Sequence, residues 1–245
     1  MKRPLVLFAA CAASVGASVA SPAKAGVRPA TFELEVFRVA VSTSGDCSSP
    51  IVTYAAEQPA YVDLMAEPTL GEAHLDDGTY VCLMFEVAPS VVFSPAASDG
   101  ACVAGTPATM SFCEEGLVAP ADGGSTPDGA ATPVRQLDGT TTSCGASDRV
   151  VLYLSRWSNG ATSEAKPFDP FQPPVAAGDG DHGVALFGAL DVSGGGSQVG
   201  TLVVEVADSA YSDGTSCKMH PPKIGFESAP ASADAGAGDA APPKN

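Results

Sequence analysis

One short segment of the sequence, Asp179-Gly180-Asp181-His182, places two carboxylates and an imidazole within a single turn. Hard cations such as calcium take oxygen ligands from loops of this composition, so Asp179, Asp181 and His182 form a candidate calcium site. The segment lacks the repeated acidic positions and the final Glu of an EF-hand. An ordinary polar turn before a strand is the alternative, which the sequence favours because Asp and Gly are common turn residues. Calcium is the one cofactor that the sequence suggests.

A second candidate for binding chemistry is a pair of aromatic side chains, Tyr153 and Trp157, at the end of the segment from Arg149 to Trp157. Alternating apolar residues predict a strand there, with both aromatics on one face. Exposed aromatic side chains on a sandwich could bind a sugar, so both are candidate ligand-binding residues. Packing in the core is the interpretation that the sequence favours for Trp157.

Motifs of several enzyme classes are missing from the sequence. G-x-S-x-G, which marks a hydrolase nucleophile at a strand-to-helix turn, does not occur. Walker and H-E-x-x-H patterns do not occur either, which argues against nucleotide and zincin chemistry. We expect His74 to be exposed to solvent, and Cys217-Lys-Met219-His220 lacks the ligand order of blue copper proteins. The sequence therefore predicts no catalytic residues.

The residues from Met1 to Ala25 have the features of an export signal. Met1-Lys2-Arg3 is positively charged, and an Ala-rich apolar run follows as far as Ala20. Cleavage fits after Ala20 or after Ala25, and we favour Ala25. Lipidation of Cys11 is an alternative, although the apolar run before it is short. The chain is thus expected to be a bacterial protein that is secreted, periplasmic or held at the outer cell surface.

The chain is strongly acidic, with 28 Asp and Glu residues against 12 Lys and Arg and a formal net charge of −16. Nucleic acid and anionic membrane surfaces are disfavoured as partners, because both require a positive patch and no basic cluster follows Arg3. An acidic surface keeps an exported β-protein soluble and monomeric. The expected partner is a protein or a glycan at the cell surface, with no membrane span once the signal is removed.

An even number of cysteines follows the predicted signal, and in an exported protein this indicates three disulfides. Cys102 and Cys113 bracket a short segment and are expected to pair. Cys47 is a candidate partner for Cys82. No C-x-x-C occurs, which argues against a cysteine metal site. The expected disulfide cysteines are Cys47, Cys82, Cys102, Cys113, Cys144 and Cys217.

The elements that must position these residues are β-strands. From Leu75 to Val87 a tight turn precedes an alternating run with two apolar faces, which predicts a core strand covered on both sides. In Thr31 to Ser42 the alternation changes parity at Val36-Phe37, which predicts a β-bulge or a strand buried on both faces. Val184 to Val192 and Val199 to Ala207 are predicted to form a hairpin.

Part of this region resembles a known class of domains. Tyr61-Val62-Asp63-Leu64-Met65 is followed, after a polar spacer, by Leu75-Asp-Asp-Gly-Thr-Tyr and the alternating strand. This arrangement is similar to secreted bacterial β-sandwich domains of the prealbumin or carboxypeptidase-regulatory type. The resemblance covers Thr31 to Val87 and implies an architecture. It also implies a role in binding or bracing, without catalytic residues to map onto this chain.

The predicted fold class is all-β, an Ig-like or prealbumin-like β-sandwich with long irregular loops and three disulfides. One domain is expected over residues 26–227, with irregular loops at 119–134 and 158–183. A strand from the C-terminal half is expected to pair with the sheet of the first half. Residues 228–245 consist mainly of Ala, Pro, Gly, Ser and Asp, with no large apolar side chain, and are predicted to be a disordered tail.

These observations together predict an exported, non-catalytic β-sandwich protein that acts as a binding or structural module. One alternative is a secreted hydrolase whose site lies in the loop at 158–183, since long loops in compact domains are often functional. Another alternative is a calcium-dependent adhesion or carbohydrate-binding module that uses Asp179 and Asp181.

Overall fold

The computed structural model describes residues 26–66, 74–113, 133–144, 148–160, 169–193 and 201–227. Within these ranges the chain forms β-strands and one turn of 3-10 helix at Leu64–Ala66, without an α-helix, which confirms the all-β prediction. No helix among these residues is long and apolar enough to cross a membrane. The predicted signal, the predicted tail and parts of both predicted loops lie outside the described residues. The strands are β1 (Pro29–Ser42), β2 (Ile51–Asp63), β3 (Gly78–Tyr80), β4 (Cys82–Pro95), β5 (Ala108–Ser111), β6 (Pro133–Arg135), β7 (Thr141–Ser143), β8 (Val150–Ser155), β9 (Val184–Phe187), β10 (Leu190–Val192), β11 (Thr201–Glu205), β12 (Ala210–Ser212), β13 (Cys217–Met219) and β14 (Lys223–Glu227).

Most of these strands belong to one curled sheet. In the described part of the chain it has eight strands, in the order β11, β14, β9, β8, β4, β1, β2, with β5 also paired to β4. Neighbouring strands are antiparallel except for β14 with β9 and β9 with β8. The sheet curls so that β11 contacts the short helix that follows β2. The pairing of β4 with β8 confirms that a C-terminal strand joins the sheet of the first half.

The strand β4 lies at the centre of the sheet and extends further than the sequence predicts. Residues Cys82 to Val87 pair with β8, and Ser90 to Phe93 pair with β5, while β1 runs along the other side. Pro89 does not end the strand, because it falls between these two partners and its missing N–H interrupts neither ladder. Residues 82 to 88 are all buried, which confirms a strand covered on both faces.

A register shift between Val36 and Arg38 interrupts the pairing of β1 with both of its neighbours, which confirms the predicted bulge. The extra residue keeps Val36 and Val39 in the same buried cluster. It also places Arg38 directly opposite Glu86 on β4. The bulge therefore changes the parity of β1 at the point where a charged pair forms across the sheet.

The two faces of the sheet bury two separate groups of side chains. The larger group, on what we call the inner face, includes Leu83 and Phe85 together with apolar side chains from most of the other strands. The smaller group, on the outer face, includes Cys82, Met84 and Tyr153. Because the outer face of the central strands is covered by turns and a ribbon, the space between those covering segments can form a site.

The described residues contain three disulfides, which confirms the predicted number. Cys47 pairs with Cys82, as expected. Disulfides persist in oxidising compartments and are rare in the cytosol, so this number indicates folding in an oxidising environment.

The expected pairing of Cys102 with Cys113 is wrong. Cys102 bonds to Cys217, and Cys113 bonds to Cys144. Closeness in sequence failed as a guide because β13, which carries Cys217, contacts β5 and brings that cysteine to the loop before β5.

The predicted hairpin of Val184 to Val192 with Val199 to Ala207 is also wrong. The first segment divides into β9 and β10, which pair with other strands, and β11 pairs with β14. The chain leaves β9 at Gly188, which has a φ of 66°. A Cβ at this position would lie 2.3 Å from the carbonyl oxygen of Phe226. Glycine therefore permits a sharp exit after Phe187, and the chain crosses to a different partner strand.

Candidate functional site

A cleft with a volume of about 540 Å³ lies over the outer face of the sheet. Met84 of β4 and Tyr153 of β8 form its floor, and three chain segments form its walls. Its volume is within the range of about 300–1,000 Å³ that is usual for small-molecule sites. Concave surfaces of this kind bind ligands more often than flat ones do, so this cleft is the candidate functional site.

The first wall is the turn from Asp46 to Pro50, between β1 and β2. Asp46 Oδ1 accepts hydrogen bonds from Ser44 Oγ at 2.6 Å and from the Ser48 amide at 3.0 Å, which close the turn. The Cys47–Cys82 disulfide joins the turn to β4. Ser155 Oγ of β8 donates to the carbonyl of Gly45, so the turn is held on two strands.

The second wall is the ribbon of β6 and β7, with its turn at Gln136 to Thr140. Asp138 Oδ1 accepts hydrogen bonds from the amide and the hydroxyl of Thr140, at 2.9 Å and 2.6 Å. The Arg135 amide donates to the carbonyl of Phe171 at 3.2 Å, which ties the ribbon to the third wall. Gly139 has a φ of 84°, a backbone conformation that suits glycine at a tight turn.

The third wall consists of Gln172 to Val175 and the nearby His182. Asp179 holds this wall together, because its carboxylate accepts hydrogen bonds from the amides of Val175, Asp181 and His182 at 2.9, 2.9 and 3.2 Å. Its Oδ2 atom also lies 3.0 Å from His182 Nδ1. Gln172 Nε2 donates to the carbonyl of Pro133 at 2.9 Å, which links this wall to the second.

The floor is closed by Tyr153, whose ring is buried. Its hydroxyl lies 3.2 Å from the carbonyl oxygen of Arg135 and 3.4 Å from that of Gln136, and can donate to either. Burial raises the pKa of Tyr153 to about 12, with smaller and opposing contributions from Arg135 and Asp138. The phenol is therefore neutral, and it anchors the second wall to the sheet.

The polar groups around the cleft carry charges of both signs. Hydrogen bonds from Ser44 and Ser48 lower the pKa of Asp46, and those from Thr140 lower the pKa of Asp138, so both carboxylates are ionised at neutral pH. Arg135 contributes a positive charge from the same ribbon as Asp138. The cleft thus offers charged acceptors on the first and second walls and a charged donor on the second.

The predicted calcium residues form a hydrogen-bonded turn. Partial burial raises the pKa of Asp179, but hydrogen bonds from the Val175 and Asp181 amides and from His182 outweigh it and lower the value to about 2. Both carboxylate oxygens of Asp179 therefore already accept hydrogen bonds from protein groups. Within the described residues no group of three His, Cys, Asp or Glu side chains could hold a metal ion.

The same turn matches the spacing G-x-G-x-x-G from Gly178 to Gly183. A dinucleotide-binding fingerprint needs a strand before this spacing and a helix after it. Here the turn leads directly into the strand β9, so its glycines serve the turn. Gly183 has a φ of 67°, and a Cβ there would lie 3.0 Å from the carbonyl oxygen of Tyr153.

The structure separates the two predicted ligand-binding aromatics. Tyr153 is buried under the cleft, while Trp157 lies beyond the end of β8 and is half-buried. A Cβ added to Gly45 would fall 2.3 Å from the Trp157 ring, so the indole packs closely on the backbone of the first wall. Trp157 supports this wall from outside the cleft, because it is not among the lining residues.

The other candidate donors from the sequence lie away from the cleft. Cys217 is bonded to Cys102 and therefore cannot act as a thiolate ligand for copper. His220 stacks on Tyr211 with ring centroids 4.1 Å apart. His74 is exposed, as expected.

Sequence reasoning missed the residues that define the cleft. Asp46, Arg135 and Asp138 belong to segments that are far apart in sequence, and nothing local relates them. A weak local signal exists, because Asp138-Gly139-Thr140 is a turn motif in which the threonine caps the aspartate. It identifies a turn but gives no indication that the turn faces another one.

Comparison with protein-family models, with curated proteins and with solved structures finds no match for this chain. The cleft itself is therefore the feature from which a function can be inferred.

Proposed function

We propose that this chain is an exported, non-catalytic binding module of bacterial origin, and that the cleft on the outer face is its ligand site. The observation that carries the proposal is that all three walls are fixed in place. A disulfide holds the first wall, backbone hydrogen bonds hold the second, and the Asp179 carboxylate holds the third. A site whose walls are preorganised loses little entropy when a ligand binds.

The architecture we propose is an Ig-like or prealbumin-like β-sandwich. Two features support it, namely the curled eight-stranded sheet of the described residues and the large cluster of apolar side chains on its inner face. We further propose that the protein works outside the cytosol, at the cell surface or in the periplasm, which agrees with its three disulfides among the described residues.

The proposal is tested by mapping binding with the ¹⁵N-labelled protein and a library of sugars, amino acids, amines and carboxylates. We expect ligands to shift amide signals of residues 46–49, residues 135–139, Gln172 and Val175 together, because these segments line one cleft. Binding that maps to other surfaces, or no binding from any class of compound, would refute the proposal.

A matched pair of variants sharpens the test. Val175 lines the cleft and is 77% exposed, whereas Val103 is 53% exposed and lies elsewhere. Val175→Trp should obstruct the cleft and weaken binding, while Val103→Trp should leave binding unchanged. Equal loss in both variants would contradict the assignment of the cleft.

A secreted hydrolase is the second candidate, and the contact of Asp179 with His182 favours it. Asp179 holds His182 Nδ1 as a donor, which leaves Nε2 of the neutral ring as an acceptor beside the cleft. A hydrolase also needs a nucleophile within reach of that nitrogen. Turnover of nitrophenyl esters or glycosides that is abolished by His182→Ala would establish this alternative, and its absence from the purified protein would exclude it for those substrates.

A further inference from the structure

The polar side chains of the cleft suggest which kind of ligand it takes. Asp46 and Asp138 present ionised carboxylates from two different walls, and both are held ionised by hydrogen bonds within their own turns. Arg135 contributes donors from the second wall, and Gln172 contributes an amide from the third. A ligand must therefore satisfy both acceptors and donors.

The charges in the cleft limit the class of ligand further. Two carboxylates inside the cleft and a formal net charge of −16 on the full chain disfavour an anion. The guanidinium of Arg135, on the same ribbon as Asp138, offsets part of this negative charge, so the cleft is not a purely anionic site for a simple cation. An uncharged ligand that both donates and accepts hydrogen bonds can contact the carboxylates and the guanidinium together.

The walls also contain apolar surface. Leu137 and Pro173 are partly exposed and line the cleft from the second and third walls, together with the exposed side chains of Pro50 and Val175. A purely polar ligand would leave this surface uncovered. A ligand with hydroxyl groups around its edge and C–H groups on its face would cover both kinds of surface.

We propose that the cleft binds an uncharged saccharide, with its hydroxyls bonded to Asp46, Asp138 and Arg135 and a C–H face packed on Leu137 and Pro173. A hydroxyl both donates and accepts, so it can bridge a carboxylate on one wall and a donor on another. This inference rests on the proposed binding function and names the ligand class of the same site. Binding needs no calcium, because the contacts come from side chains alone.

The chain provides a matched control for the Asp138 contact. Asp138-Gly139-Thr140 and Asp213-Gly214-Thr215 have the same sequence, and in both turns the aspartate Oδ1 accepts bonds from the threonine amide and hydroxyl. Asp213 lies at the turn between β12 and β13, away from the cleft. Asp213 also accepts hydrogen bonds from Ser216 and pairs with Lys218, so replacement by Asn should perturb its turn at least as much as that of Asp138, yet only the Asp138 turn lines the cleft.

The experiment measures binding of the purified full chain to an array of neutral glycans in buffer with EDTA. We expect at least one mono- or disaccharide unit to bind, and Asp138→Asn to weaken that binding by about tenfold or more, as for loss of a charged hydrogen-bond partner. Asp213→Asn should bind like the unaltered chain. Equal affinity in all three proteins would overturn the proposal.

Amide mapping separates failure of this inference from failure of the proposed function. If no glycan binds but amines or peptides shift the cleft amides, the saccharide assignment is wrong and the binding function stands. If glycans bind but shift amides elsewhere, the saccharide site is wrong. If no class of compound shifts the cleft amides, both proposals fail.

Discussion

The disulfide between Cys47 and Cys82 joins the first wall of the cleft to β4, the central strand of the sheet. Cys82 is on the outer face of β4, next to the floor residue Met84, and Cys47 belongs to the turn above it. One covalent bond therefore fixes the distance between the wall and the floor.

Replacing both Cys47 and Cys82 with alanine should lower the free energy of unfolding by about 2–5 kcal/mol, the usual cost of losing a native disulfide. It should also broaden the amide signals of residues 44–49, because the turn loses its covalent link to β4. Denaturant unfolding and amide spectra measure the two effects. The control is the Cys102–Cys217 pair, whose removal should destabilise the fold without altering those signals.

Gly45 is required where the first wall meets Trp157. Gly45→Ala would place a Cβ 2.3 Å from the indole ring, so the ring or the turn must move. We expect a loss of about 1–3 kcal/mol, as for overpacking of a core site. We also expect a changed emission of Trp157, the one tryptophan of the chain.

Gly78→Ala is the matched control for that change. A Cβ at Gly78 meets only Thr43 Cγ2, at 3.9 Å, which is an ordinary contact. Gly78 has no positive φ, so alanine should be tolerated there and unfold at nearly the same denaturant concentration as the original chain. Similar losses at both positions would show that packing on Trp157 is not the cause.

The sequence predicted features that depend on near neighbours in the chain. The alternation of apolar side chains predicted β1, β4 and β8 and their two faces, because successive residues of a strand point to opposite faces of the sheet. The parity change at Val36-Phe37 predicted the bulge for the same reason. The Cys47–Cys82 pair could also be predicted, since Cys82 lies on a core strand whose outer face another segment must cover.

Features that depend on long-range contacts were missed. Cys102 and Cys217 are 115 residues apart, and no local pattern signals that β13 meets the loop before β5. The break at Gly188 looked like continued strand, because the carbonyl of Phe226 that excludes a side chain there is 38 residues away in the chain. The sequence did not predict the cleft for the same reason, since its walls come together only when the sheet has formed.

Glu86 is the clearest case of a residue whose surroundings the sequence conceals. Its position on a strand suggests an outward, solvated side chain, yet it is 1% exposed. Arg38 donates to its Oε2, and Arg149 Nη1 donates to its Oε1 at 3.2 Å. The Arg149 guanidinium also lies 4.2 Å from the centre of the Phe37 ring. This pairing satisfies the buried carboxylate.

Replacing Glu86 and replacing its two arginine partners should have different effects on the free energy of unfolding. The side chains of Arg38 and Arg149 are 40% and 49% exposed, so they can return to water if Glu86 is replaced. Removing both arginines leaves the Glu86 carboxylate without either of its charged partners. We expect Arg38→Ala with Arg149→Ala to cost about 3–5 kcal/mol. Glu86→Gln should cost less, and urea unfolding that gives the reverse order would contradict this account.

Calcium should not change the stability of the protein. The carboxylate of Asp179 already accepts hydrogen bonds from backbone amides, and a metal ion would have to displace them. A ligand that binds only the folded state raises the unfolding midpoint. We therefore expect the same Tm with calcium and with a chelator, measured by calorimetry. A Tm that rises by several degrees with calcium would instead support a calcium site at Asp179, Asp181 and His182.

Acid should weaken the third wall through Asp179. Its pKa in the folded chain is about 2, below the ordinary value of about 3.9 for an unfolded aspartate. A folded pKa below the unfolded one adds stability that is complete above about pH 4 and is lost as the pH falls towards 2. Asp179→Asn should therefore be less stable than the original chain at about pH 5, and the difference should shrink between about pH 4 and 2.

Urea unfolding at several pH values measures this difference, and Asp181→Asn is the neighbouring control. The Asp181 side chain is exposed, and it is the Asp181 amide, which this change retains, that donates to Asp179. We expect Asp179→Asn to cost about 1–3 kcal/mol at about pH 5, the range for hydrogen bonds to a charged group. A stability difference that stays constant from about pH 5 to 2 would mean that the carboxylate charge does not hold the wall.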